Sequence, residues 1–448
     1  MRQYTLRCLG CGKPLDEAAD AHRLHCPDES SEPTSHGPAL LRAMYCERTF
    51  TPDRSRRGMF RYRSWLPVSD DACADLAAAE AGTVAYYARQ LGAELGLDRL
   101  VVLFNGFWPD RNAGLSACSF KELEARAVVG RRGAHADPLV VAFAGNTGRA
   151  FHQVCSAYDV PAIIVVPERA LPYLWGTGDQ SAAVTLVAVA GDADYYDAIR
   201  AAEAIAALPG NVLEGGARNV ARRDGMGSAM LAGLELTEEL PDHYFQAVGS
   251  GTGAIAAWEM AERAVADGRF GPRPPRLHLA QNDPFTIMTD AWRVRQRQLP
   301  ELDAAEAKRQ IDTIKAHVLS NRHPPYAIQG GLFDAMQATS GEMYAVTNRD
   351  AEEAAHLFRA VEGCDLDPAA AVALASLQQA AARGAVRRGE LTFLNVTGGG
   401  YKLLRDSIEV MPLQADATIE VEALLQPNLS DQLAEALEVA GGSWRASA

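Results

Sequence analysis

Leu139-Val140-Val141-Ala142-Phe143-Ala144-Gly145-Asn146-Thr147-Gly148-Arg149-Ala150-Phe151 runs from an apolar stretch, through a turn bounded by glycines, into a helical segment. A stretch that is apolar at every position belongs to a strand covered on both faces, and crossover helices supply the cover. The pattern recurs at Leu100-Val101-Val102-Leu103-Phe104, Ala162-Ile163-Ile164-Val165-Val166, Val184-Thr185-Leu186-Val187-Ala188-Val189 and Leu391-Thr392-Phe393-Leu394-Asn395-Val396, with alanine-rich helical segments between most of them. A proline-rich connector, Gly271-Pro272-Arg273-Pro274-Pro275, leads into a further short run, Leu277-His278-Leu279. Alternation of this kind predicts an α/β fold of parallel sheets, without an internal repeat of fixed period.

At 448 residues, 48% hydrophobic and 22% charged, the chain is long enough for two or three domains and a core that needs neither disulfides nor metal. No run approaches the roughly 18 apolar residues of a membrane span. Met1-Arg2-Gln3-Tyr4-Thr5 leads into cysteines with no apolar signal core, so the expectation is a cytoplasmic protein without a membrane partner. A formal net charge of −14 argues against nucleic acid, because duplex binding needs a basic face and Arg54-Ser55-Arg56-Arg57 is short and isolated.

In parallel sheets, ligands bind at the carboxyl ends of strands, where loops open into helix N-termini. In the Gly145 to Gly148 turn, Asn146 and Thr147 offer donors beside backbone that glycine lets approach a flat ligand. Gly249-Ser250-Gly251-Thr252-Gly253, after Ala247-Val248, alternates glycines with hydroxyls and forms an amide nest suited to one phosphate dianion. It has neither the Gly-Lys-Ser/Thr of a nucleotide loop nor the full dinucleotide fingerprint. Thr397-Gly398-Gly399-Gly400-Tyr401-Lys402 follows Val396 and brings a hydroxyl to where a heteroaromatic nitrogen can meet it. A hydroxyl there, unlike a carboxylate, leaves a pyridine nitrogen largely neutral. Taken singly, each loop also reads as an ordinary strand-to-helix turn.

Ahead of all three stands Cys118-Ser119-Phe120-Lys121-Glu122-Leu123-Glu124-Ala125. Lys121 is one of five lysines against thirty-eight arginines. Unlike a guanidinium, its amine can lose a proton and form a Schiff base with an aldehyde. A general bias toward arginine accounts for part of that scarcity, and a solvated lysine at a helix start is the plain alternative.

In this order, over most of residues 100–405, Ser-Phe-Lys, Gly-Asn-Thr-Gly, Gly-Ser-Gly-Thr-Gly and Thr-Gly-Gly-Gly resemble the fold type II pyridoxal-phosphate enzymes, the tryptophan synthase β family. The cysteine-bearing N-terminus and Ser119-Phe120-Lys121 look like its threonine synthase branch. Threonine synthases usually carry Asp-Arg where this chain has Glu122-Leu123. With Phe104-Asn105-Gly106-Phe107-Trp108-Pro109 and Asn321-Arg322-His323-Pro324-Pro325-Tyr326-Ala327-Ile328-Gln329-Gly330-Gly331, that departure makes the chain resemble the cysteate synthase family, which converts O-phospho-L-serine and sulfite to L-cysteate and phosphate.

The resemblance implies a pyridoxal 5′-phosphate cofactor held between two doubly wound parallel-sheet domains, small anionic substrates, and a homodimer. It makes Lys121 the catalytic Schiff-base residue, which takes the α-proton so that phosphate leaves and a nucleophile adds at Cβ. Asn146 would face the ring hydroxyl, Gly249, Ser250, Gly251, Thr252 and Gly253 would hold the cofactor phosphate, and Thr397 would sit at the ring nitrogen. Thr147 is the candidate for the substrate carboxylate. Arg218, Arg222 and Arg223 are candidates for anionic substrate groups, which planar guanidinium forks suit, with Arg322 and His323 behind them. Cys118 reads as a small packed residue, Trp108 and Trp258 as core, and His152 as structural. Two other readings share these motifs: a threonine synthase or other β-replacement enzyme with a different nucleophile, and a non-catalytic cofactor-binding or regulatory protein.

Residues 1–50 read as a ribbon-like module with four of the eight cysteines. Cys8-Leu9-Gly10-Cys11-Gly12 has zinc-knuckle spacing, but the second tight pair of a ribbon is missing. The expectation is therefore a metal-free module, with Cys8, Cys11, Cys26 and Cys46 as weak zinc candidates and His22, His25 and His36 as stand-ins. Beyond it, residues 51–125 and 236–448 are expected to form a large domain and 126–235 a small one, with the active site between them.

Overall fold

The computed structural model describes the chain except residues 1–2, 17–21, 31–34, 70–75, 77–79, 133–136, 144, 179, 427 and 440–448. Strands β1 (Tyr4–Cys8), β2 (Pro14–Leu15) and β3 (Leu41–Tyr45) form an antiparallel sheet in the order β2-β1-β3. Alternate residues of β1, namely Tyr4, Leu6 and Cys8, point into a small core shared with Leu15, Cys26 and Leu41.

The chain enters a larger sheet with β4 (Val84–Tyr87), antiparallel to β5 (Leu100–Phe104). Helix α1 (Lys121–Arg132) leads from there to a second sheet through β6 (Leu139–Ala142), α2 (Asn146–Ala157), β7 (Ala162–Pro167), β8 (Val184–Ala190), α3 (Tyr195–Ala206) and β9 (Val212–Leu213). Helix α4 (Val220–Thr237) returns the chain to the first sheet. There β10 (His243–Ala247), α5 (Thr252–Asp267), β11 (Arg276–Asn282), β12 (Glu342–Val346), α6 (Pro368–Ala382) and β13 (Thr392–Val396) follow. The large sheet has the order β12-β11-β10-β13-β5-β4, parallel apart from β4. The small sheet, β9-β6-β7-β8-β14, is parallel throughout and closes with β14 (Ala417–Glu420), after which α7 (Leu429–Val439) packs on it.

Every apolar run singled out in the sequence lies in a strand to within one residue, and the reason is visible in the cores. In β7, Ile164 and Val166 pack with Val141 and Leu186 on one face, while Ile163 and Val165 pack with Val140 and Val187 on the other. In β5, Val101 and Leu103 face one core and Leu100, Val102 and Phe104 another. Each such side chain contributes about 1.5–3 kcal/mol of burial, so both faces of both sheets are committed to packing. Function is left to the loops at the strand ends.

The expected domain limits need two amendments. Helix α4 lies against α5, β4 and β5, because Met230, Leu231 and Leu234 join the core of the large sheet. The segment containing β14 and α7, expected in the large domain, belongs to the small sheet, where β14 pairs with β8 from Val187↔Ala417 to Ala190↔Glu420. The N-terminal cysteines also differ from expectation. Cys8, Cys11 and Cys26 converge, but Cys46 is exposed beyond β3 and His36 takes the fourth place. His22 is instead bonded to the Leu213 carbonyl, and His25 lies 3.6 Å from Glu29.

Candidate active site

The three glycine-rich loops and Lys121 meet at the carboxyl ends of the strands. One pocket is lined by Ser119, Phe120, Lys121, Phe143, Asn146, Tyr195, Arg222, Gln246, the stretch from Gly249 to Gly253, Val318, Asn321 and Thr397. Backbone pairing fixes two of its walls to each other. Phe120 N–H donates to the Thr397 carbonyl at 2.9 Å, Gly399 N–H donates to Cys118 at 3.1 Å, and Ser119 bridges Gly398. Close approach is the reason for glycine in this loop: a Cβ on Gly400, which has φ +79°, would lie 1.8 Å from the Phe107 carbonyl.

The second loop is a cradle that side chains would fill. Gly251 takes φ 76° as the N-cap of α5, and a Cβ on Gly253 would sit 2.7 Å from Gln246 Nε2 and 2.8 Å from the Phe120 ring. The N-terminus of a sixteen-residue helix therefore opens on the pocket, with the positive end of its dipole toward it. Ser250 and Thr252 hydroxyls are 2.9 Å apart beside it.

Lys121 is the first residue of α1, and its amine lies 3.2 Å from Glu124 Oε2 and 3.8 Å from Met226 Sδ. Burial pushes the amine below its ordinary pKa; Glu124 pulls it up, and Arg222 adds to the depression. Glu124 is fully buried and shared: its other oxygen accepts from Thr147 at 2.7 Å and faces Arg222 Nη2 at 3.2 Å. Arg222 also stands 3.2 Å from Glu214. Burial opposes the Arg222 charge, but Glu124 and Glu214 outweigh it and raise its pKa; burial also raises Glu214. Although both acids are close, Arg222 Nε and Nη2 have no hydrogen-bond partner. A buried guanidinium paired with carboxylates but not locked to them by aligned hydrogen bonds can also receive an anionic guest.

Asn146 lines the pocket, with its amide donating to Asp367 at 3.1 Å and its carbonyl accepting from Arg149 at 2.8 Å. Of the arginine candidates, Arg222 alone lines this pocket. Arg218 is held by Glu29 of the N-terminal module at 2.9 and 3.0 Å, and Arg223 is buried against Glu259 at 3.0 Å. Arg218, expected at the substrate, is thus not among the residues lining this pocket and pairs with the N-terminal module. Thr147 is buried behind the pocket wall on Glu124. Arg322 pairs with Asp194, the N-cap of α3, and the His323 ring lies tilted against Tyr196 with centroids 4.7 Å apart.

Cys118 is buried at φ 50°, and burial raises its thiol, so it stays unionised. Trp108 and Trp258 sit in the two cores of the large sheet, and His152 is buried.

Glu124, Glu214 and Asp367 were not singled out from the sequence. Glu124 carried a local signal, since a carboxylate three residues after a helical lysine shares its face.

The residues present fit a pyridoxal-phosphate group: an amine of depressed pKa, a cradle with no room for side chains at a helix N-terminus, and a hydroxyl loop pinned beside them. The sequence pattern of the family described as pyridoxal-phosphate dependent enzyme matches residues 76–398. The chain belongs to that family, as a pyridoxal-phosphate enzyme of fold type II. Among solved structures, maize serine racemase superposes with a TM-score of 0.53 at 15% identity over 72% of this chain and 91% of that one. A threonine deaminase from T.th. gives 0.51 at 16% over 73% and 95%.

Within the family the chain is 47% identical to the cysteate synthase of Methanoculleus marisnigri over 92% of each protein. It is 44% identical to that of Methanosarcina barkeri over 93% of this chain and 97% of the relative. With the cysteate synthase of Methanosphaerula palustris it shares 48% over 92% and 93%. It is a member of the cysteate synthase family. Among the described residues, no helix is long and apolar enough to cross a membrane.

Proposed function

We propose that this chain replaces the phosphate of O-phospho-L-serine with sulfite, giving L-cysteate and inorganic phosphate, and does so in the pocket around Lys121. The observation that carries this reading is Arg222, a buried cation in the pocket that Lys121 lines, whose Nε and Nη2 stand 3.2 Å from Glu214 and Glu124 without making an aligned hydrogen bond to either. Phosphoserine and sulfite both bring negative charge that such a group receives.

In this reading Gly249, Ser250, Gly251, Thr252 and Gly253 would hold the cofactor phosphate at the N-terminus of α5, and Asn146 and Thr397 would hold its ring. Lys121 supplies the tethering amine. When bound, pyridoxal phosphate supplies a sink for the electron pair left on Cα as its proton departs. Lys121 Nζ, in the same pocket, would take that proton as base and later return it. Breaking Cβ–O releases phosphate with its electron pair, and the sulfur lone pair of sulfite forms the Cβ–S bond. Arg222 faces the outgoing phosphate and the incoming sulfite, and Glu124 and Glu214 hold it charged and in place. Thr147, bonded to Glu124, orients that carboxylate. The enzyme acts as a cytoplasmic homodimer, a point for light scattering and cell fractionation.

The purified protein, loaded with pyridoxal phosphate, is offered O-phospho-L-serine with and without sulfite, and O-phospho-L-homoserine without it. Sulfite-dependent formation of cysteate with equimolar phosphate supports the assignment, and Lys121→Ala abolishes it along with the visible absorbance of the bound cofactor. Efficient phosphate release from O-phosphohomoserine, with no response to sulfite, overturns the substrate assignment. A protein that takes up no pyridoxal phosphate overturns the site.

A further inference from the structure

Three thiols and one imidazole converge in the N-terminal module, about whose chemistry the reaction says nothing. Their ligand atoms, one each from Cys8, Cys11, Cys26 and His36, all lie within 4.8 Å of one another. Cys11 Sγ and Cys26 Sγ are 3.8 Å apart, and Cys8 Sγ and His36 Nε2 are 3.4 Å apart. A tetrahedral zinc with bonds of about 2.3 Å to sulfur and about 2.05 Å to nitrogen has edges of about 3.8 Å between sulfurs and about 3.5 Å between sulfur and nitrogen. Two edges of that tetrahedron are thus already present, and the rest need only a modest contraction.

We infer that Cys8, Cys11, Cys26 and His36 bind one structural zinc ion. The surroundings are built for it. Gly10 N–H lies 3.3 Å from Cys8 Sγ, so a backbone donor supports the sulfur. A Cβ on Gly10 would fall 2.4 Å from His36 Nδ1, so glycine is what lets the imidazole close over the knuckle. His36 Nδ1 is 2.8 Å from the Gly37 carbonyl, and donation there leaves the Nε2 lone pair directed at the three sulfurs. Three thiolates and a neutral imidazole form a closed four-ligand set with no open position, the hallmark of a structural site.

The module's own packing is slight. Its own core contains Tyr4, Leu6, Leu15, Leu41 and little else besides two of these cysteines. A unit of this size ordinarily needs a staple.

The zinc would fix more than the module. Leu9, between the first two ligands, packs against Gly330, and Leu40 N–H and the Pro38 carbonyl bond Gln329. Glu29, three residues after Cys26, clamps Arg218 in the turn before α4. Two segments that flank the pocket, one carrying Asn321 and one leading to Arg222, are therefore braced by the metal loops.

Metal analysis of the full-length protein, purified under reducing conditions without chelator, is expected to give close to one zinc per chain. Replacement by cobalt should give the intense visible bands of a tetrahedral thiolate site. Cys11→Ser and His36→Ala should weaken zinc retention against a chelator by at least roughly tenfold. Cys46→Ser, outside the cluster, should retain metal and spectrum. A wild-type protein that carries no zinc and takes up neither zinc nor cobalt overturns the inference. So does a Cys11 to Cys26 disulfide in that preparation, or a Cys46→Ser variant that loses metal as His36→Ala does.

Discussion

Glu124→Gln isolates the electrostatics of the proposed catalytic amine. The change preserves side-chain shape and leaves an oxygen for the Thr147 hydroxyl, now 2.7 Å away, but deletes the charge that lies 3.2 Å from both Lys121 and Arg222. At an effective dielectric of about 20, each of those pairs amounts to about 5 kcal/mol of Coulomb energy. Rearrangement and the remaining Glu214 recover much of it. A single opposing charge at this range typically moves a pKa by about 1–3 units. Since Glu124 favours the protonated amine, its removal must lower the Lys121 pKa further below the ordinary lysine value, in the direction burial already drives it. The amine reacts with an aldehyde only when deprotonated, so uptake of pyridoxal phosphate should begin at lower pH. Stopped-flow absorbance of cofactor-free protein mixed with pyridoxal phosphate, across a pH series, should show the rising limb displaced downward by at least about one unit. Glu214→Gln should move it less, because Glu214 acts on Lys121 more weakly. Arg222 meanwhile loses one of two partners, so stability should fall by about 2–4 kcal/mol. A limb that stays in place or moves up, in a variant whose circular dichroism shows it folded, refutes the electrostatic account.

Other outcomes follow from the same geometry. Gly253→Ala must push aside Gln246 and Phe120, and should weaken pyridoxal-phosphate binding by about 1–3 kcal/mol, measured by equilibrium dialysis; unchanged affinity means the cradle is looser than described. Arg222→Gln should leave the cofactor absorbance intact while raising the KM for phosphoserine and sulfite by roughly two orders of magnitude, in keeping with a lost charge-assisted contact. His152, held neutral by burial with its pKa lowered from 6.5 to about 4, adds stability at pH 7 that fades as pH falls from 6.5 to about 4. That difference is worth about 3 kcal/mol, so His152→Leu should narrow the gap in urea midpoint between pH 7 and pH 4.5. Part of the gap should persist, because burial also lowers His278, to about 2. An unaltered gap would show that His152 does not titrate in this way.

What the sequence disclosed follows from where the physical signal is local. Strands buried on both faces, such as Leu100–Phe104, announce themselves as unbroken apolar runs. Strand β14 does not: Ala417–Glu420 is four residues long with one buried side chain, and its partner strand is more than two hundred residues away. The same division applies at the site. Lys121 and the glycine loops were legible because cradles and turns demand particular residues in a row. Arg218 and Arg222 looked alike because they are neighbours in one segment. Their fates are decided by Glu29, 189 positions from Arg218, and by Glu124 on another helix. The tie between Asn146 and Asp367 spans 221 positions and leaves no trace in either neighbourhood.

The late return of the chain to the small sheet has a bearing on how this protein can be trimmed. Strand β14 and helix α7 cap the flank of β8, whose seven residues are all buried. A protein ending shortly before Ala417 would keep every residue of the pocket, yet would present an unpaired row of amides and carbonyls along a strand of valine, leucine and alanine. Such an edge recruits other chains. The shortened enzyme should bind its cofactor while fresh and then be lost to aggregation, so the tail serves as a selvedge, sealing a sheet whose chemistry lies elsewhere.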